Sequence, residues 1–296
     1  MKIAKIEISH PEKLLYPDDN ISKKEVSEYY SKISQYLLPF VKDRPITMKR
    51  YPDGLNKDGF FNKHRPDYFP DFIDNFTVPT REDGFEMSMV GIHSEKGLAY
   101  LANQNVLELH VALSTMSSIE KPDQIIFDFD PSEANFENVR SSAKALKSLL
   151  DNYDIKSFVK TSGSRGLHVH IPIKPQYEFK IIKKIARTIA EELHEQCSDI
   201  TTLEQRKEKR SNKVYIDILR NDYAMTAIAP YSLRAKKGAP VAAPLNWEEL
   251  DDKSLNPSIY NLKNIFQRLG QIENPWENFN HFNRQIDLKI CFKNLE

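Results

Sequence analysis

Asp128 and Asp130 lie two residues apart in QIIFDFDP, a short apolar run that reads as a strand ending at Pro131. Period-two geometry puts both carboxylates on one face. Two like charges side by side repel unless a cation lies between them. Mg2+ and Mn2+ are hard cations that take such oxygens and also bind phosphate. Asp217 interrupts a second apolar strand, VYIDIL, where it shares a face with Tyr215 and Leu219. An acid inside an apolar strand needs a partner. Three carboxylates on adjacent strands would hold two metals for in-line phosphoryl transfer. The competing reading makes Asp130 the N-cap of a following helix, with Pro131 and Glu133 in its first turn.

TSGSRGLHVH, from Thr161 to His170, sets two glycines around Ser164 and Arg165. A turn of this kind exposes backbone N–H donors, and a cation beside it attracts phosphate. It reads as a triphosphate cradle or as an ordinary hairpin turn. His168 and His170 share one strand face and also form a candidate zinc pair, though no third ligand stands near them in sequence.

These residues need elements to hold them. Ser22 with Glu25 predicts a capping box and a helix from Ser22 to about Leu38, with Pro39 just past its end. ITMKRYPDGL reads as a strand and then a turn at Pro52-Asp53-Gly54. Residues 85–113 read as several strands with a turn near Glu95-Lys96-Gly97. A helix from about Pro131 to Leu150 follows the first acidic strand. SFVKTSGSRGLHVHIPI reads as strand, glycine turn, strand. Tyr177 to Cys197 is strongly periodic, and a last helix spans about Pro257 to Leu269, stopped by Gly270. Strands arrive in hairpin-like pairs between helices, which predicts an α+β fold with largely antiparallel or mixed sheets.

The 296 residues carry 42 Lys+Arg and 42 Asp+Glu, so the formal net charge is zero. A global field for nucleic acid is therefore absent, and any binding of that kind needs a local basic patch. Length allows one large domain or two interleaved lobes. Cys197 and Cys291 form no CxxC pair, which argues against disulfides and a cysteine zinc site. The charged N-terminus lacks a signal-peptide core, and no apolar run reaches membrane-spanning length. A soluble cytoplasmic, nucleoid-associated protein is expected, with no membrane partner.

The order DFDP, SGSRGLH, YIDILRN and TAIAPYSLRAKKGAPV resembles the polymerase domain of ligase D, in the archaeo-eukaryotic primase superfamily. HPEKLLYPDDNISKKEVSEYY, RPITMKRYPDG, GFFNKH and NVLELH extend the resemblance to about residues 8–250. It implies a primase-like polymerase core of α+β type with sheets flanked by helices, forming a single domain over 1–296. Within it, about 1–80 would carry DNA-end contacts, 81–250 the catalytic core and 251–296 a C-terminal helical segment. The resemblance makes Asp128, Asp130 and Asp217 the metal-binding catalytic carboxylates. It places His110, Ser162, Arg165, His168, Arg210 and Arg234 around the incoming NTP or dNTP. Position 165 is often Lys in that family, and Arg keeps the charge with a different geometry. Phe60 and Phe61 match an aromatic pair that stacks on template bases. Lys13 and Lys23 match residues that grip a 5′-phosphate at a DNA break or gap.

The implied function is template-directed gap filling during non-homologous end joining. It would prefer ribonucleotides, use two Mn2+ or Mg2+ ions, and work with Ku and a DNA ligase. The alternatives are a strand-initiating primase, a metal-dependent nuclease or phosphoesterase on the same carboxylates, and a non-catalytic DNA-end binding module.

Overall fold

A computed structural model describes residues 1–81, 84–133 and 135–282. The helices and longer strands, in chain order, are α1 (Lys23–Lys32), α2 (Ser34–Val41), β1 (Ile46–Arg50), β2 (Phe60–Asn62), β3 (Asp74–Pro79) and β4 (Glu86–Gly91). Then come α3 (Glu95–Asn103), β5 (Val106–Ala112), β6 (Gln124–Asp130), α4 (Phe136–Asn152), β7 (Phe158–Thr161) and β8 (Leu167–Pro172). The last are α5 (Phe179–Gln196), β9 (Thr201–Thr202), β10 (Val214–Asp217), β11 (Thr226–Ile228), β12 (Pro244–Leu245) and α6 (Ile265–Leu269). The fold is α+β. Among the described residues no helix is long and apolar enough to cross a membrane.

The chain divides into two compact units that alternate along the sequence. The first comprises Met1–Ser117, Thr226–Ala243 and Tyr260–Gln271. Its sheet runs β11-β5-β1-β4-β3, with β2 also paired to β1, and every pairing is antiparallel. α1 packs against α3, and the core holds Tyr29, Tyr30, Ile33 and Leu37 almost free of solvent. Burying a phenol requires a partner for its hydroxyl. Tyr30 donates to the Leu107 carbonyl at 2.6 Å and Tyr29 to the Tyr231 carbonyl at 2.7 Å.

The second unit comprises Ser118–Met225, Pro244–Ile259 and the chain from Ile272. Its sheet order is β9-β10-β6-β8-β7-β12, antiparallel except for the β9–β10 pair. Ile125, Phe127 and Phe129 alternate with Ile126, Asp128 and Asp130 along β6. The buried stripes of α4 (Val139, Ala143, Leu146, Leu150) and α5 (Ile182, Ile185, Ile189, Leu193) supply the helical layer over the sheet. At one end of the sheet Trp276 donates its indole N–H to the Val159 carbonyl at 3.0 Å and packs on His170 and Phe279.

Several elements depart from the sequence reading. The long N-terminal helix is two helices meeting at Ile33, and Pro39 lies inside α2. At the sixth position of an eight-residue helix it lies past the first turn, and having no N–H it gives no hydrogen bond to the Gln35 carbonyl. The stretch around Glu95-Lys96-Gly97 is not a turn between strands. It opens α3, capped by the Ser94 hydroxyl on the Gly97 amide. The cap of α4 is Asn135, five residues beyond Asp130, so Asp130 is free of that duty. α6 has only five residues, and the described C-terminal segment is mostly short 3-10 turns and loops. Cys291 and the end of that segment lie outside the described residues.

Candidate active site

Four polar residues form one lateral row across the second unit's sheet. Asp217 on β10 is registered opposite Asp128 on β6, Asp128 opposite His168 on β8, and His168 opposite Lys160 on β7. Cross-strand partners sit about 5 Å apart, so the row is fixed by backbone pairing. His168 Nε2 lies 3.5 Å from Asp128 Oδ2, and Lys160 Nζ lies 3.1 Å from His168 Nδ1. His168 and Lys160 are both buried, and His168 Nε2 is the ring nitrogen that faces Asp128. Burial alone would raise the Asp128 carboxyl. The charge and hydrogen bond of His168, with Arg220 and Lys160, outweigh that and hold it below its ordinary value. Asp217 moves the other way. Burial and the negative charge of Asp128 raise it, against a hydrogen bond from the Leu219 amide at 2.8 Å.

Asp130 lies one pleat further on the same face and is bracketed by two guanidinium groups. Arg165 reaches its Oδ1 at 3.0 Å and Arg210 its Oδ2 at 3.1 Å. Arg210 is held by the Glu204 and Gln205 carbonyls and lies 4.1 Å from the Tyr215 ring centroid. Burial and the neighbouring Asp217 push the Tyr215 phenol up to about 12, so it stays neutral.

The glycine turn between β7 and β8 is tightly made. Gly163 has φ +62°, in the left-handed region. A Cβ at Gly166 would come within 1.9 Å of the Phe129 carbonyl oxygen, so the turn can lie against β6 only with glycine there. Ser162 Oγ accepts from the Ser164 amide at 3.2 Å and the Gly166 amide at 3.1 Å. The hydroxyl therefore shapes the loop that carries Arg165. His168 and His170 are both buried rather than on the surface, and His170 Nδ1 pairs with Gln124 at 2.8 Å.

Facing carboxylates, one of them raised by burial and by its neighbour's charge, are the donor set that a hard divalent cation suits. Asp128 and Asp217 fit such an ion. Asp130 would join them by exchanging an arginine. Among the described residues no three His, Cys, Asp or Glu side chains already converge as a metal cage.

The first unit gathers a separate group around Glu108 on β5. Its buried carboxylate receives His110 Nε2 at 2.8 Å and the Ala235 amide at 2.9 Å, and pairs ionically with Arg234 Nε at 3.3 Å and Lys49 Nζ at 4.0 Å. Burial would raise this carboxyl, and these donors instead hold it at about 2. Phe60 and Phe61 are exposed on β2, at 47% and 58%. That excludes core packing as their reason for being there. Arg50 stands over the Phe60 ring and Lys49 over the Phe61 ring, and Phe61 also meets His110 edge-on.

Lys13 and Lys23 line one open pocket of about 660 Å3 together with Ser9, His10 and Asn103. Lys23 is buried, not a surface lysine. Its Nζ donates to the Asn103 carbonyl at 2.9 Å and to Ser9 Oγ at 3.3 Å. Burial first, and then the Lys13 charge, lower it to about 8. Ser22 and Glu25 make the expected capping box, so the Lys23 side chain leaves from the positive end of α1.

The second unit thus unites Asp128, Asp130, Asp217, Ser162, Arg165, His168 and Arg210. The first unit unites His110, Arg234 and Phe61, and separately Lys13 with Lys23. Lys160 and Glu108 escaped the sequence reading. A charged residue inside an apolar strand was the available signal for both, as it was for Asp217.

Comparison with known proteins gives one consistent picture. A family model described as "LigD, primase-polymerase domain" matches residues 22–276. The bifunctional non-homologous end joining protein LigD of Bacillus subtilis is 33% identical over 277 residues, covering 93% of this chain and 44% of that protein. The multifunctional non-homologous end joining protein LigD of Mycolicibacterium smegmatis is 33% identical over 260 residues, covering 86% of this chain and 34% of that protein. The chain therefore spans less than half the length of these relatives. Among solved structures, the polymerase domain from Mycobacterium tuberculosis ligase D in complex with DNA superposes with a TM-score of 0.87 at 28% identity, covering 93% of this chain and 98% of that one.

Proposed function

Because the chain belongs to the LigD primase-polymerase family, whose members are DNA-directed nucleotidyltransferases, we propose that it fills gaps at DNA double-strand breaks during non-homologous end joining. The observation that carries this reading is the shared sheet face of the second unit. There the paired carboxylates Asp128 and Asp217 stand beside a third, Asp130, that two arginines already contact. Oxygen donors for divalent ions next to guanidinium groups for phosphate are what transfer of a nucleotidyl group requires.

Asp128, Asp130 and Asp217 would hold Mn2+ or Mg2+, which would supply activation of the primer 3′-hydroxyl and charge neutralisation on the triphosphate. The rest is done by side chains. Arg165 and Arg210 are placed to exchange Asp130 for phosphate oxygens, since a guanidinium binds either anion through the same fork. His168, oriented by Lys160, presents an N–H donor at the carboxylate row. The glycine turn holds Arg165 against β6.

In the first unit, exposed Phe60 and Phe61 offer faces for unstacked template bases. Lys13 and Lys23 supply two cations and a helix N-terminus for a terminal 5′-phosphate. Ribonucleotides are the preferred substrates, and Ku and a DNA ligase the working partners. A primed gap with a 5′-phosphate on its downstream strand, Mn2+ and labelled NTP or dNTP tests the reading. Primer extension, faster with NTP, supports it. Strand synthesis without a primer points to a primase, primer shortening to a nuclease, and binding without chemistry to an end-binding module.

A further inference from the structure

α5 carries Lys180, Lys183, Lys184 and Arg187, which all line one depression of about 470 Å3 in the second unit. They span eight residues, about 10 Å of helix. Lys183 is paired with Asp222 at 2.6 Å and Arg187 with Glu191 at 2.6 Å. Lys180 and Lys184 are exposed and have no carboxylate partner among the described residues. Lys180 also sits in the first turn of an 18-residue helix whose N-cap is Glu178. In a chain with 42 cationic and 42 anionic side chains, Lys180 and Lys184 are a local excess of positive charge.

The floor of the depression differs from its rim. Tyr215, Ile216 and Ile218 underlie it and are buried, and Leu219, 36% exposed, is its exposed apolar surface. These residues belong to or follow β10, the strand that carries Asp217. A duplex hides its bases and would use only the cations. A single strand exposes both phosphates and base faces, and so matches a basic rim beside the exposed apolar Leu219.

We propose that this groove binds a single-stranded segment of the DNA end, with Lys180 and Lys184 on its phosphates and Leu219 against its bases. The proposal rests on the polymerase reading for its biological setting but not for its test. The substrates are two fluorescent duplexes, one blunt and one with an oligothymidine arm of about ten nucleotides. Binding is titrated against salt with the wild-type chain and with Lys180→Glu/Lys184→Glu and Lys180→Gln/Lys184→Gln. Both positions are exposed, so neither variant disturbs the core.

The arm should tighten binding by the wild-type chain. The Gln variant should lose several-fold of that gain, and the Glu variant about tenfold or more at low salt. Loss of two phosphate contacts should flatten the logarithmic salt slope by about 1.4. Blunt-duplex binding should not change. Variants that bind the armed duplex as the wild-type chain does overturn the proposal. Equal weakening on both duplexes overturns the single-strand assignment. A chain that extends no primer yet keeps this arm-dependent, groove-dependent binding removes the polymerase reading and leaves the groove standing.

Discussion

Asp128 and Asp217 stand directly opposite each other on neighbouring antiparallel strands, and their carboxyl groups are pushed in opposite directions. The asymmetry comes from what lies beyond each. Asp128 has His168 on its far side, whereas Asp217 has a backbone amide and the end of its strand.

The asymmetry predicts opposite stability effects in metal-free protein. A carboxyl raised on folding binds more protons in the folded state, so its ionisation costs stability as pH rises through its range. One lowered on folding adds stability above its unfolded value. At neutral pH with chelator, Asp217→Asn should raise the melting temperature and Asp128→Asn should lower it. Each shift should be a few degrees, at about 2–4 °C per kcal/mol. Both differences should shrink as pH falls towards 4 and below. Calorimetric melts across pH 4–8 check this, and shifts of the same sign in both variants contradict it.

Asp130 is held by Arg165 and Arg210. Arg165→Ala should therefore free a ligand oxygen and tighten Mn2+ binding in the absence of nucleotide. Arg165 is half-exposed, so the gain should be modest, about two- to fivefold by the weakness of exposed ion pairs. The same variant should bind nucleotide more weakly. Mn2+ titration by electron paramagnetic resonance reads the first effect. Unchanged or weaker Mn2+ binding would show that Asp130 is not in competition.

Lys23, lowered to about 8, should make recognition of a 5′-phosphate strongly pH-dependent. Its neighbours in the pocket are Lys13, His10 and Glu12, with Asp53 at 3.8 Å from Lys13. The cation is present below pH 8 and lost above it. The advantage of 5′-phosphorylated over 5′-hydroxyl gaps should thus fall between pH 7 and 9. An unshifted lysine would keep it to beyond pH 10. In Lys23→Arg, which stays charged, the advantage should persist across the range. A flat profile in the wild-type chain contradicts the assignment.

Phe60→Ala/Phe61→Ala should leave the melting temperature almost unchanged, because both rings are exposed. It should weaken binding to a template strand by about 1–3 kcal/mol per lost stacked base, or roughly 5- to 150-fold. Fluorescence anisotropy with a primed template measures it. A large drop in stability with unaltered template binding would return the pair to a structural role.

The site was legible in sequence where a polar residue interrupts an apolar strand. Asp128, Asp130, Asp217 and His168 all do so, and period-two alternation placed them on the correct faces. Register was not legible. Nothing local states that Asp128 pairs with Asp217 on one side and His168 on the other, because cross-strand partners are chosen by tertiary packing. Lys160 went unnoticed for that reason, since its role appears only when β7 pairs with β8. That the Ser162 hydroxyl, expected near the incoming nucleotide, also accepts two amides of its own turn was not legible either. Helix ends were misread where two signals competed. Asp130-Pro131 resembles a cap, yet Asn135 provides the cap of α4, and Ser94 caps a helix that Gly97 had made look like a turn.

The central claim is that the Asp128–Asp217 pair carries nucleotidyl transfer. Its most direct test is primer extension on a 5′-phosphorylated gap with Mn2+ and labelled ATP, comparing the wild-type chain with Asp128→Ala and Asp217→Ala. The wild-type chain should lengthen the primer, and each variant should lose about 10³-fold or more of that rate while remaining folded. Near-normal extension by either variant, or a primer shortened by the wild-type chain, would contradict the account.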